Sequence, residues 1–259
     1  MRHSLAVFLL LTLVACSSDS PPDANDPANK LSAEEMYKDA KDSLNNENYE
    51  TAIKKFESLQ SRYPYGRYAQ QALLELAYAY YRQNEPESAV SAAERFIKQH
   101  PNSPNVDYAY YVKGLANFKG ERGLLDSLGR QDPSERDPRA AQESFAAFKD
   151  LVTRFPASRY APDARVRMRY LINALAKYEI HVASYYMRRG AHISAVNRAK
   201  EVLTQYPHSP ATRDALLILV QGYDAMGMKK LRDDAQRVLD RNFPQNTADA
   251  TNTNNGISR

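Results

Sequence analysis

One thiol and five histidines are the side chains of this 259-residue sequence best suited to nucleophilic or metal chemistry. Their spacing argues against both. His3, His100, His181, His192 and His208 have no second histidine or cysteine at ligand spacing, so no metal site is expected. His181 falls between Tyr178 and Tyr185 at helical spacing, which predicts a packing role. Carboxylates are plentiful but scattered, as on solvated helical faces. No glycine-rich phosphate loop and no local serine–histidine–aspartate motif occurs. No catalytic residue and no cofactor is therefore assigned. The thiol reads differently. Cys16 ends the run Leu13-Val14-Ala15-Cys16, after an apolar stretch from Leu5 to Ala15 that is interrupted by Thr12 and preceded by Arg2 and His3. That layout fits a lipoprotein signal, with cleavage before Cys16, a diacylglycerol thioether on its sulfur and a palmitoyl amide on its amino group. The chemistry expected of Cys16 is attachment, not turnover. The stretch is too short to span a bilayer, which takes about 20 residues. Ser17 stands where an aspartate would hold the protein at the inner membrane, so the expected location is the periplasmic face of the outer membrane.

The elements that must carry everything else are helical. Residues 1–15 are read as signal peptide and 16–31 as a lipidated flexible tether, since Ser17 to Lys30 shows no apolar periodicity. Residues 245–259 are polar throughout and read as a disordered tail. Between them, an aromatic or histidine precedes proline at Tyr63-Pro64, His100-Pro101, Phe155-Pro156, Tyr206-Pro207 and Phe243-Pro244. A small residue sits twelve positions ahead of the first four prolines, at Ala52, Ala89, Ser144 and Ala195; the fifth has Arg232 there. Ala52, Ile53, Phe56, Leu59 and Tyr63 recur at steps of three and four, as on one face of a helix. Asn48-Tyr49, Asn84-Glu85-Pro86, Gly190-Ala191 and Gly227-Met228 separate helix from helix. Ser32 with Glu35 predicts a capping box, and Ser103, Ser158 and Ser209 are read as N-caps of later helices. The fold class is all-α: a tetratricopeptide-like solenoid of five helix-turn-helix repeats at about 32–64, 67–101, 104–156, 159–207 and 209–244. Lys119 to Asp137, with three glycines and Pro133, is expected to loop out of the third repeat. A long helix is expected from Ala161 to about Arg189, and Leu216 to Val220 should be packed inside.

Such repeats bind along their surfaces, and the composition says what they could bind. A formal net charge of +4 is too balanced for a nucleic-acid partner. Eighteen tyrosines with no tryptophan cluster as Tyr63-Tyr65-Tyr68, Tyr78-Tyr80-Tyr81, Tyr108-Tyr110-Tyr111 and Tyr185-Tyr186. Adjacent helical residues point about 100° apart, so one tyrosine of each pair is expected in the core and one at the inner surface. Tyrosine offers a rigid apolar face with a polar tip, suited to an extended peptide, and Arg62, Arg67, Arg82, Arg95 and Lys98 could meet a carboxylate.

Several strings are more specific than a generic repeat: Arg62-Tyr63-Pro64-Tyr65-Gly66, Ala79-Tyr80-Tyr81, Arg95-Phe96-Ile97, Pro104-Asn105-Val106-Asp107-Tyr108, Arg136-Asp137-Pro138, Ala176-Lys177-Tyr178-Glu179, Val196-Asn197-Arg198 and Ala211-Thr212-Arg213-Asp214-Ala215-Leu216. On these the chain resembles the BamD (ComL) family, lipoproteins of the outer-membrane β-barrel assembly machine, from Cys16 to about Phe243. The resemblance implies a non-catalytic scaffold that binds a POTRA domain of BamA through its C-terminal repeats. It also implies that the N-terminal repeats receive the C-terminal signal of unfolded outer-membrane proteins, and that the lipoproteins BamE and BamC dock alongside. Carried over by motif, Tyr63 with Tyr65, Arg67, Tyr68 and Arg95 falls in the signal-binding region, and Arg198 where the family contacts BamA. A rival expectation is a tetratricopeptide lipoprotein adaptor for cell-wall enzymes or DNA uptake; an enzyme is a third.

Overall fold

A computed structural model describes residues 31–118 and 138–244. The signal peptide, Cys16, nearly all of the tether, the segment at 119–137 and the tail lie outside the described residues. Those described form helices α1 (Ala33–Asn45), α2 (Tyr49–Arg62), α3 (Arg67–Arg82), α4 (Pro86–Gln99), α5 (Val106–Ala116), α6 (Arg139–Arg154), α7 (Ala161–Arg188), α8 (His192–Gln205), α9 (Thr212–Ala225) and α10 (Lys229–Asn242). They pair as five successive hairpins, each helix packing on the next. The all-α expectation of five helix-turn-helix units holds. First helices also touch one another, α1 on α3, α3 on α5 and α7 on α9, and no pair of second helices packs comparably. The layer with the shorter spacing is the inside of the curve, so the odd-numbered helices line the concave side.

The second helices are built on one repeated triplet. Ala52-Phe56-Leu59, Ala89-Ala93-Phe96, Ser144-Phe148-Leu151 and Ala195-Ala199-Val202 stand at i, i+4 and i+7, and every member is at most 1% exposed. The small first member lets the paired helix approach. In the third unit Gly114 of α5 meets the Phe148 ring so closely that an added Cβ would lie 2.5 Å from it. Ser144, wholly buried, donates its hydroxyl to the Gly114 carbonyl at 2.8 Å, so its polar atom is satisfied. The fifth unit departs at Arg232, and α10 buries only Ala235 and Leu239. It is the last described helix, and it leaves Leu231 and Val238 exposed among its charged residues.

Turn chemistry follows the residues. Glu47, Asn84, Gly190 and Gly227 adopt positive φ between paired helices. Ser32 accepts from the Glu35 amide at 3.3 Å while Glu35 accepts from the Ser32 amide at 2.8 Å, the expected capping box. The other serines differ from expectation. Ser103, Ser158 and Ser209 accept from the amides of Asn105, Tyr160 and Ala211, two residues on, and the helices begin later. The same side chain that can cap a helix closes a tighter local turn when proline or a second loop residue follows.

Hydrophobic burial divides into three clusters: one in the first unit with α3, one across α3 to the start of α7, and one from the end of α7 through α10. The 28-residue α7, about 42 Å long, therefore belongs to two cores: Ala164 and Leu171 to the middle one, Ala176 and Ala183 to the last. It matches the expected long helix to within a residue. Leu216, Ile218 and Leu219 are buried in α9 between α8 and α10, as expected. Among the described residues no helix is long and apolar enough to cross a membrane.

Candidate functional site

The connection from α2 to α3 gathers four of the sequence-derived candidates. Tyr63 ends α2 and is half-buried, and its hydroxyl donates to the Leu31 carbonyl at 2.9 Å. Tyr65 is 90% exposed, an unusual setting for so large a ring. Gly66 follows at φ +98°, a conformation closed to most side chains, and turns the chain into α3. Arg67 then lies over the Tyr68 ring at 4.5 Å and donates to its hydroxyl at 2.5 Å, with Glu34 at 3.8 Å. Tyr68 packs on Tyr37 of α1, centroids 5.6 Å apart. The corner thus presents one free aromatic ring on a base of two fixed ones.

Arg95 approaches the same end of α2 from the other side. It projects from α4 and donates to Gln60 Oε1 at 2.7 Å. Gln60 is one turn ahead of Tyr63. Between α2, α3 and α4 an open cleft of about 490 Å³ is lined by Glu57, Gln60, Ser61, Tyr80, Ser91 and Arg95 among others. The Tyr80 hydroxyl donates to Glu57 at 2.5 Å. Burial first, and then this bond, hold the Tyr80 hydroxyl above its ordinary range.

Arg198 lies on α8, in the last core's unit, and bonds Glu179 of α7 at 3.1 Å. Glu179 is 12% exposed and Arg198 45%, so the carboxylate is held beneath while the guanidinium still reaches solvent. This bond raises the arginine further above its usual range. Cys16 lies outside the described residues.

A second set of aromatics joins the Tyr108-Tyr110-Tyr111 cluster to Phe118, Tyr160 and Tyr170, which were not singled out in the sequence. Along the concave side Tyr108 and Tyr111 of α5 flank Tyr160 at 5.1 and 4.8 Å, and Phe118 meets Tyr170 of α7 at 5.6 Å. Tyr111 donates to Asp163 at 2.7 Å, and Arg167 bonds the same oxygen at 2.6 Å. Burial pushes the Asp163 carboxyl up, but the two hydrogen bonds outweigh it and the net shift is down. Large side chains thus close the gap where α5 and α7 do not approach by backbone. The i, i+3 spacing of Tyr108 and Tyr111 was the available signal. The pairing rule holds for Tyr110, buried, with Tyr111 half-buried, and for Tyr186, packed, with Tyr185 45% exposed. It fails for Tyr80 and Tyr81, both half-buried, because Tyr80 turns into the cleft. His181 is exposed on α7 rather than packed, though not without a partner.

Comparison with known proteins bears on what this surface serves. A family model described as an outer membrane lipoprotein, YfiO, matches residues 29–238. The chain is 43% identical to the outer membrane protein assembly factor BamD of Neisseria meningitidis, over 93% of this chain and 91% of that one. It is 38% identical to the protein of the same name from Xylella fastidiosa, over 93% and 80%. With that from Vibrio cholerae it shares 36% identity over 87% and 92%. Among solved structures, a thermophilic tetratricopeptide protein from Thermus thermophilus covers 84% of this chain and 94% of its own at 16% identity, with a TM-score of 0.39, too loose a superposition to carry an argument. By the family match and by these relatives, the chain belongs to the YfiO family of outer membrane lipoproteins, whose members include the assembly factors named BamD.

Proposed function

We propose that this chain is a lipid-anchored, non-catalytic scaffold of the outer-membrane β-barrel assembly machine. The observation that carries the reading is its near end-to-end correspondence, at 43% identity, with relatives named outer membrane protein assembly factors. In this reading Cys16 bears the diacylglycerol and palmitoyl groups and fixes the scaffold at the periplasmic face of the outer membrane. The α2–α3 corner, with Tyr63, Tyr65, Arg67, Tyr68 and nearby Arg95, takes the C-terminal signal of unfolded outer-membrane proteins. Arg198 belongs to the surface that holds a POTRA domain of BamA, and BamE and BamC dock beside it. Two features of the fold support this division. The corner sits on the first core and Arg198 on the last, so both partners can be held at once, and α7 joins the middle core to the last as one element.

Co-purification with detergent-extracted lipidated chain tests the reading. BamA is expected to be recovered with it. Arg198→Glu, which places a carboxylate against Glu179 and reverses the presented charge, is expected to reduce that recovery by roughly 10-fold, the scale of a 1–3 kcal/mol contact. The helical circular-dichroism signal should stay unchanged. Full recovery would remove Arg198 from the interface. Recovery of cell-wall enzymes without BamA would overturn the proposal as a whole.

A further inference from the structure

We propose that the exposed face of α7 docks on an anionic phospholipid surface, with Arg165, Arg169 and Arg188 as its principal contacts. This rests on the reading that Cys16 carries lipid, and it says which side of the anchored scaffold faces the membrane.

Spacing and exposure define the face. Val166, Arg169, Asn173, Lys177, His181 and Arg188 follow one another at steps of three, four or seven, and all are exposed. At about 100° per residue they form one stripe, roughly 33 Å long from Val166 to Arg188. Arg165 and Tyr185 stand at its edges, both exposed. Among the described residues Arg165, Arg169 and Arg188 hold no ion pair, whereas Lys177 and His181 do have partners. No carboxylate of the helix is left to offset these cations. Asp163 is engaged by Tyr111 and Arg167, and Glu179 by Arg198. Glu179 also lies about 140° around the helix from Val166, so the Arg198 contact and the stripe face different ways.

A lipid surface fits this stripe better than an acidic protein does. The cations are spread along it rather than gathered at one point, which suits laterally mobile headgroups. Val166 is 54% exposed near one end and Tyr185 45% near the other. An aliphatic side chain and a ring with a polar tip are what the headgroup boundary accepts beside cations. Arg189 lies over the Tyr185 ring at 5.5 Å and adds a charge at that edge. First helices touch at α1–α3, α3–α5 and α7–α9, but not comparably at α5–α7. The curve is therefore flattest where the stripe begins, and a straight stripe there can lie along a plane. The tether of residues 16–31 extends about 50 Å at ~3.3 Å per residue, so it limits distance without setting orientation. The stripe supplies the orientation.

The test uses detergent-extracted chain reconstituted in vesicles, with Asn173→Cys carrying a fluorophore at the centre of the stripe. Quenching by a headgroup-borne quencher is expected to be several-fold stronger in vesicles containing phosphatidylglycerol than in neutral phosphatidylcholine vesicles. Each cation near such a surface contributes about 5-fold, so Arg165→Gln, Arg169→Gln and Arg188→Gln together should weaken docking about 100-fold and remove the difference. Lysine at all three positions should keep it, which separates charge from folding. Salt at about 1 M, where the screening length is about 3 Å, should also remove it without any substitution in the stripe. Equal quenching in the two kinds of vesicle would overturn the inference. Binding of polyglutamate through the same three arginines, with no effect of phosphatidylglycerol, would overturn it in favour of an acidic protein. A chain that leaves neutral vesicles but stays on anionic ones would overturn the anchor at Cys16 and keep the stripe. Release from both would overturn both.

Discussion

At the scale of single residues, the second helices show how little tolerance a close helix crossing has. Gly114 admits no Cβ because the Phe148 ring occupies its place. Gly114→Ala is expected to destabilise the chain by about 1–3 kcal/mol, the cost of overpacking, despite alanine's better helix propensity. Urea denaturation measures this, and Phe148→Leu in the same chain should recover part of the loss. A neutral Gly114→Ala would mean that the crossing relaxes freely. The polar contact beside it behaves differently: Ser144→Val removes a buried donor and leaves the Gly114 carbonyl with one bond fewer, for an expected loss of about 1–3 kcal/mol. Both residues were legible in part. The twelve-residue interval from small residue to proline marked Ser144 as the site of close approach. Gly114 was not marked, because its partner comes from the far side of the 119–137 segment.

At the scale of elements, α7 decides how the middle and last cores communicate. Its length was legible, since no glycine and no proline after Pro162 interrupts it. Its division between two cores was not, because both halves show the same helical period and only packing assigns Leu171 to one core and Ala176 to the other. Asn173 is exposed between them. Asn173→Pro is expected to break α7 there, at a cost of about 3 kcal/mol or more. Calorimetry should then resolve two transitions where the intact chain shows coupled unfolding. A single unbroken transition in the variant would show that the cores are coupled by other contacts. The serine turns ahead of α5, α7 and α9 teach a related lesson. The residues were read as helix N-caps, but a hydroxyl that accepts two residues on rather than three closes a turn and delays the helix, and spacing alone does not separate the two.

At the scale of the whole molecule, the uneven aromatic content has a consequence for pH. Burial, followed by contact with Glu75, pushes the Tyr37 hydroxyl up to about 12. Burial, followed by its bond to Asp163, does the same for Tyr111, also to about 12. Tyr80 and Tyr108 are raised as well, again chiefly by burial. In the unfolded chain tyrosines ionise near pH 10. Between about pH 10 and 12 the folded state therefore holds protons that the unfolded state has lost. Stability from these groups is complete below about pH 10 and falls as pH rises towards 12. Urea midpoints measured across that window should decline, and Tyr111→Phe should make the decline shallower. A flat profile would contradict the burial of these hydroxyls. The five-unit architecture itself was the most legible property of the chain, because each unit repeats its own signal. Which tyrosines face a groove was least legible, since half-buried and buried rings obey the same period.

The bond from the Tyr63 hydroxyl to the Leu31 carbonyl has a mechanical meaning. A pull on the chain ahead of Leu31 would peel α1 away from its N-terminus, one hydrogen bond at a time. Tyr63 diverts that load to the end of α2 before it reaches α1. Under tension the first unit is then sheared rather than unzipped, and shear resists a higher force. Stretched between handles on residues 31 and 244, the chain is expected to yield its first step at lower force in Tyr63→Phe than in the unaltered protein. Equal forces would mean that the clasp carries no load.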